Sequence, residues 1–281
     1  MTFLDTPVET IAIPFEGQAL PGYFFRPTFN MQKRKTLIMI GGGETCAEQL
    51  YFWAGAPGIR RGWNVLCVDL PGQGDTPFSG LYFRHDYERP MKVVVDYLLT
   101  RPEVDADPLG IYGVSGGGYM VIRSVVFDKR IKACVANAPI TDFYRLATIE
   151  IPPMLLKAPA PVGDALLKLS RLRSPLPVIA AVKFCWQAGV TRLSDALEKI
   201  GRKANIDGRI SDITCPTLCL SGTGESEEQI RQMNEFYAAI NASHKDKRLF
   251  TLDEGAEAHC QVNNYALMQA VVFDWLDEVF Q

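Results

Sequence analysis

Gly113-Val114-Ser115-Gly116-Gly117 follows the apolar run Leu109-Gly110-Ile111-Tyr112 and opens a second apolar run that reads as a helix. A serine on a sharp strand-to-helix turn has its hydroxyl pushed clear of the backbone, and glycines on both sides let the chain pack closely enough to hold that turn. This is the sequence form of a nucleophile elbow, and Ser115 is the candidate nucleophile. Spacing excludes two other glycine-rich loops. A phosphate loop ends in Gly-Lys-Ser/Thr, whereas Gly118 is followed by Tyr119 and Met120; glycines at 113, 116, 117 and 118 do not make a G-x-G-x-x-G fingerprint. A turn that merely caps a helix remains the bland alternative.

Working outward from the elbow, short strand-like runs at residues 8–13, 22–26, 36–40, 64–69, 109–114 and 131–136 alternate with helix-like runs at 47–61, 87–100 and 117–127. The rhythm resumes with strands at 216–221 and 248–252 and helices at 226–240 and 262–280. Such an order predicts an α/β fold: a mostly parallel sheet with helices on both faces, entered through an antiparallel edge. Reacting groups in such sheets gather beyond the carboxyl ends of the strands. Between residues 140 and 211 the rhythm breaks, with prolines at 152, 153, 159, 161, 175 and 177. We expect a core in two parts, 1–139 and 212–281, interrupted by an inserted helical cap at 140–211. Met154, Phe184 and Trp186 are candidates to line an apolar cavity under it; the alternative is that they fill the cap's own small core.

A serine hydroxyl needs a base within hydrogen-bond reach and an acid that fixes the base's tautomer. Three histidines are available. His244 lies in the charged turn 243–247 and His85 in the loop before a helix, both suited to the surface. His259 follows the last strand at the mouth of the closing helix, so it is the candidate general base and later general acid. Glu225, directly after the next-to-last strand, is the candidate acid; with Glu227 and Glu228 it also fits the first turn of a helix. Asp142 is the alternative acid. Gly41-Gly42-Gly43-Glu44, after the strand at 36–40, offers a backbone N–H to a tetrahedral oxyanion through Gly42 or Gly43, and Gly116 offers the second. Glu44 is a candidate substrate contact or an ordinary helix-start acid.

Composition sets the outer bounds. The 281 residues are 47% hydrophobic and 22% charged with net charge −3, an ordinary globular balance with no field to gather nucleic acid or an anionic membrane. Met1-Thr2-Phe3-Leu4-Asp5 carries no basic n-region ahead of an apolar stretch, and the seven cysteines include no C-x-x-C pair. The expectation is a cytoplasmic protein with reduced cysteines, no metal and no cofactor, acting on a small-molecule substrate, with a homodimer allowed for.

Asp69-Leu70-Pro71-Gly72-Gln73-Gly74, the segment from Gly113 to Tyr119, and Ala256-Glu257-Ala258-His259-Cys260-Gln261 resemble the α/β-hydrolase superfamily. Within it they are similar to the branch holding FrsA-like proteins, dihydroxypseudooxynicotine hydrolase and the fungal yellowish-green pigment hydrolases that shorten polyketides. The resemblance, which runs over nearly the whole chain, implies a cofactor-free serine hydrolase, in several members one that cuts a carbon-carbon bond beside a ketone. Two features depart from the branch. Relatives commonly carry a helical domain ahead of the core, and the acid position holds glutamate where aspartate is usual. Two competing readings are a peptidase resembling prolyl-oligopeptidase relatives and a ligand-binding protein that keeps the fold without turnover.

Overall fold

Every residue from Thr36 to Ile40 is buried, and the pleat sends Leu37 and Met39 into one core and Ile38 and Ile40 into another. A strand covered on both faces has no polar side to show, which is why these runs read as continuously apolar rather than alternating. The computed structural model describes residues 5–149, 159–206 and 208–281. Eight strands form one sheet: β1 (Val8–Phe15), β2 (Gln18–Phe25), β3 (Arg34–Ile40), β4 (Asn64–Val68), β5 (Val104–Val114), β6 (Ala133–Asn137), β7 (Thr217–Gly222) and β8 (Lys245–Phe250). Their order is β1-β2-β4-β3-β5-β6-β7-β8. β1 with β2 and β2 with β4 are antiparallel; every pairing from β4 through β8 is parallel.

Helices cover the two faces. Met91, Val94 and Leu98 of α2 (Glu88–Leu99) and Val121 and Val125 of α3 (Gly116–Phe127) join the core of Ile38 and Ile40. The short α1 (Ala56–Arg60) lies on the face of Leu37 and Met39, where Gly58 packs against Val65 and Phe273. Phe273 and Leu276 of the closing helix, α9 (Tyr265–Val279), fill that second core. Between β6 and β7 come α4 (Phe143–Thr148), α5 (Ala160–Ser170), α6 (Leu176–Ala188) and α7 (Leu193–Ala196), the last running into a wider turn at Leu197–Gly201. α8 (Glu227–Ala239) connects β7 to β8. Four of the prolines that break the strand rhythm here start helices: Pro159 and Pro175 sit at the N-caps of α5 and α6, with Pro161 and Pro177 in the first turns, where a missing N–H leaves no bond unmade; Pro152 and Pro153 lie outside the described residues.

Local boundaries shift from the sequence reading. The helix expected over 47–61 begins with a π-helical turn at Tyr51–Gly55, and Pro57 sits in the first turn of the α-helical part that follows. The last strand begins at Lys245 and ends at Phe250, before Leu252, because its pairing with β7 runs from Thr217 opposite Lys245 to Gly222 opposite Phe250. All seven cysteines are free thiols. Among the described residues no helix is long and apolar enough to cross a membrane, and no cluster of His, Cys, Asp and Glu is arranged to hold a metal ion.

Candidate active site

Because β3 through β8 run parallel, the loops leaving their carboxyl ends share one rim of the sheet. Ser115 follows β5 with φ 56 and ψ −126, a conformation that costs a non-glycine residue about 1–3 kcal/mol. The turn is tight. A Cβ on Gly113 would lie 2.3 Å from the Gly117 carbonyl oxygen, and one on Gly117 would lie 2.5 Å from that of Gly41, so neither position admits a side chain. The Ser115 N–H donates to the Asn137 carbonyl at 2.6 Å, tying the elbow to the end of β6.

Ser115 Oγ lies 2.9 Å from His259 Nε2, and His259 Nδ1 lies 2.6 Å from Glu225 Oε1. A carboxylate only accepts, so Nδ1 carries the proton and Nε2 presents its lone pair to the serine hydroxyl. The Glu225 side chain is 6% exposed and the His259 side chain 49% exposed, so the acid is shielded while the imidazole stays open to whatever enters. The Cys260 sulfur beside Nε2 and the Glu225 carboxylate at Nδ1 both favour the protonated ring and raise its pKa above the ordinary value, with desolvation opposing.

Close backbone approaches, a left-handed turn and buried side-chain hydrogen bonds bring these side chains together from distant parts of the chain. The Gly224 N–H donates to the Glu257 carbonyl at 2.9 Å, and a Cβ on Gly222 would lie 2.1 Å from that same oxygen, so the loops bearing Glu225 and His259 are pressed together. Beyond His259 the chain turns through positive φ at Cys260 and Gln261. The Cys260 thiol donates to the Asn137 carbonyl, and Asn137 Nδ2 donates to Gln261 Oε1 at 2.8 Å. Asn137 thus contacts both the nucleophile turn and the histidine turn. Sequence reading passed over it, since a buried asparagine at a strand end carries no periodic signal.

The remaining candidates separate. Gly42 packs on Ser115 so closely that a Cβ there would stand 2.6 Å from the serine Cβ, and Gly43 N lies 3.6 Å from the place a Gly116 Cβ would take. Gly42, Gly43 and Gly116 therefore border the hydroxyl. From Gly43 and Gly116 a cavity of about 250 Å³ runs between Phe83, Tyr119, Phe143 and Phe184, with Glu44 at its edge. Phe184 stacks on Phe143 with ring centroids 6.0 Å apart. Glu44 itself is exposed and pairs with Lys183 of α6.

Trp186 does not line this cavity; its ring packs on Phe78 at 5.0 Å on the outside of α6. Met154 lies outside the described residues. Asp142 caps α4, accepting the Arg145 N–H at 2.9 Å and an Asn205 amide proton at 3.3 Å, and makes no hydrogen bond to His259. His244 packs against Trp275, away from the serine. A larger groove of about 650 Å³ lies at the opposite, amino ends of the strands, between Lys33, Asp105, Lys132 and Phe280, and contains none of these groups.

Comparison with known proteins gives a consistent picture. Residues 41–260 match the description Alpha/beta hydrolase family. The chain is 29% identical to hydrolase LUC6 of a Fusarium species and 28% identical to 20-hydroxy-prefusarin hydrolase FUS2 of Gibberella moniliformis, each match covering 99% of this chain and 70% of the relative. Among solved structures, 2,6-dihydroxy-pseudo-oxynicotine hydrolase superposes with a TM-score of 0.75 at 22% identity, over 98% of this chain and 69% of that one. Est1E from Butyrivibrio proteoclasticus superposes with a TM-score of 0.70 at 15% identity, over 96% and 99%.

Proposed function

The chain belongs to the alpha/beta hydrolase family, and from that premise we propose a serine hydrolase working through an acyl-enzyme, with Ser115 as nucleophile, His259 as base and Glu225 as its orienting acid. One observation carries the reading: the unbroken hydrogen-bond chain from Glu225 through His259 to the Ser115 hydroxyl. Ser115 Oγ attacks the substrate carbonyl carbon while its proton passes to His259 Nε2. The Gly43 and Gly116 N–H groups hold the oxyanion, with Gly42 leaving the space for it. Collapse expels the leaving group, which takes the proton from His259. Water then attacks the acyl-serine with His259 again as base, and the carboxylic acid departs.

With an ester the leaving group is an alkoxide. With a β-diketone it is an enolate, whose delocalised charge lets the same residues cleave a carbon-carbon bond, giving a ketone and an acid from one water. The described helices between β6 and β7 act in this scheme as a cap over the strand ends, with Phe184 lining the space for the acyl group. Aromatic walls, and an arginine, Arg84, that among the described residues is already paired with Glu16 and Asp86, favour a small hydrophobic carbonyl compound, aromatic or polyketide-like. The relative named for 20-hydroxy-prefusarin accords with this class. Product analysis after incubation with aryl esters, aminoacyl naphthylamides and β-diketones tests the proposal. Acid release from the first or third class is expected, dependent on Ser115; turnover of amides alone would move the reading to a peptidase, and no turnover at all would refute it.

A further inference from the structure

An oxyanion hole works only if its N–H groups are already aimed, and a peptide plane is aimed by whatever holds its carbonyl. In a trans peptide the C=O and the following N–H point in opposite directions across one rigid plane. The Gly42 carbonyl and the Gly43 N–H share such a plane. Gln73 Nε2 donates to the Gly42 carbonyl at 3.0 Å and also to the Gly41 carbonyl. Its Oε1 accepts the Leu70 N–H at 2.9 Å, and the side chain is fully buried. Both amide protons and the amide oxygen are engaged, so this group has no freedom to turn.

The next plane is held from elsewhere. Gln187 of α6 donates from Nε2 to the Gly43 carbonyl at 2.7 Å and to the Gly72 carbonyl at 3.1 Å. The Gln187 backbone carbonyl accepts the Phe83 N–H at 2.7 Å, which fixes α6 against the rim. Two side-chain amides, one from the loop after β4 and one from the helices between β6 and β7, therefore grip three successive carbonyls, Gly41 to Gly43. The Gly43 N–H, on the far side of the plane held by Gln73, donates to no protein group among the described residues.

We propose that Gln73 and Gln187 are positioning residues of the oxyanion hole. Gln73 aims the Gly43 N–H at the developing charge, and Gln187 locks the adjoining peptide so that the hole is complete only with α6 seated. The inference rests on the serine-hydrolase reading above. Neither glutamine touches the reacting atoms; each acts through backbone that does.

The experiment uses Gln73→Met and Gln187→Met, which keep length and remove the donors. The probes are p-nitrophenyl acetate, an aryl trifluoromethyl ketone that forms a tetrahedral adduct, the corresponding alcohol that cannot, and a fluorophosphonate. Gln73→Met is expected to lose on the order of 100-fold in kcat, the lower range for an oxyanion donor, with ketone affinity falling in step. KM and alcohol affinity should stay within about threefold, and Gln187→Met should show the same pattern at about tenfold. A folded Gln73→Met that keeps its kcat, or loses kcat with ketone affinity unchanged, overturns the proposal. If thermal melting shows that Gln73→Met is unfolded, Gln187→Met decides: unaltered kcat and ketone affinity there overturn it equally. Failure of the underlying reading looks different, since the wild-type protein would then neither bind the ketone covalently nor react with the fluorophosphonate.

Discussion

Alanine at Gly42 would set a methyl group 2.6 Å from Ser115 Cβ and 3.0 Å from its Oγ, whereas alanine at Gly43 meets nothing nearer than Phe83 at 3.7 Å. Ordinary contact begins near 3.4 Å, so the first change forces a separation of about 0.8 Å between the nucleophile and the backbone beside it. Neither glycine has a left-handed φ, so no backbone strain confuses the comparison. A misplacement of about 1 Å can cost roughly 100-fold in rate, or about 2.7 kcal/mol at about 1.36 kcal/mol per tenfold. Gly42→Ala should therefore lose about 100-fold in kcat/KM with p-nitrophenyl acetate, while Gly43→Ala stays within about threefold, because the acetyl group is too small to feel a methyl at the cavity edge. Circular dichroism and a thermal melt on both variants separate a displaced site from an unfolded one. If folded Gly42→Ala works as well as wild type, or Gly43→Ala loses as much, the placement of these peptides beside Ser115 is wrong.

Other expectations follow from the charges and walls of the site. His259 must be neutral to accept the serine proton, and Cys260 and Glu225 hold its pKa above 6.5, so kcat/KM should rise with pH through a midpoint above that value. Glu225→Gln should shift the midpoint downward and lower kcat by about 10⁴-fold, since an amide can donate to Nδ1 and trap the wrong tautomer. By linkage, the ring's stabilising contribution is complete below pH 6.5 and is lost as pH rises through the folded pKa; thermal melts of Glu225→Gln should show that slope flattened. Burial, reinforced by Glu48 and Asp75, pushes the Asp69 carboxyl up to about 7 from 3.8, so its folded form resists ionisation that the unfolded chain accepts. Stability should fall as pH climbs from 4 to 7, and Asp69→Asn should gain up to about 4 kcal/mol over wild type at pH 8 but little at pH 4, read by denaturant titration. Phe184→Ala opens the aromatic wall of the cavity, and the octanoate-to-acetate ratio of kcat/KM should rise about tenfold; an unchanged ratio would remove Phe184 from the acyl pocket.

The sheet and the trio of Ser115, Glu225 and His259 were legible because both rest on local chemistry. Strands buried on two faces must be continuously apolar, and a serine and an acid that each follow such a run, with a histidine that follows the charged, exposed edge strand β8, lie on one rim once the strands are parallel. Pairing order is a different matter: nothing in the run at residues 22–26 says that it will lie against β4 rather than β3. Helix geometry alone separates Trp186 from Phe184. Phe184 and Trp186 are two apart on one helix, roughly 200° around its axis, so the cavity can take only one of them. Gln73, Gln187 and Asn137 were illegible for the opposite reason. Their partners are backbone groups supplied by remote strands and loops, and an amide in a loop looks the same in sequence whether it faces water or grips a carbonyl.

Whether the Ser115 hydroxyl is a nucleophile can be read directly from the mass of the intact protein after reaction with a fluorophosphonate, followed by peptide mapping. The account predicts one phosphonyl adduct per chain, located on Ser115, appearing at the rate at which esterase activity disappears, and none on Ser115→Ala or on His259→Ala over the same interval. Full activity in a protein left unmodified at Ser115, or undiminished turnover by Ser115→Ala, would contradict it.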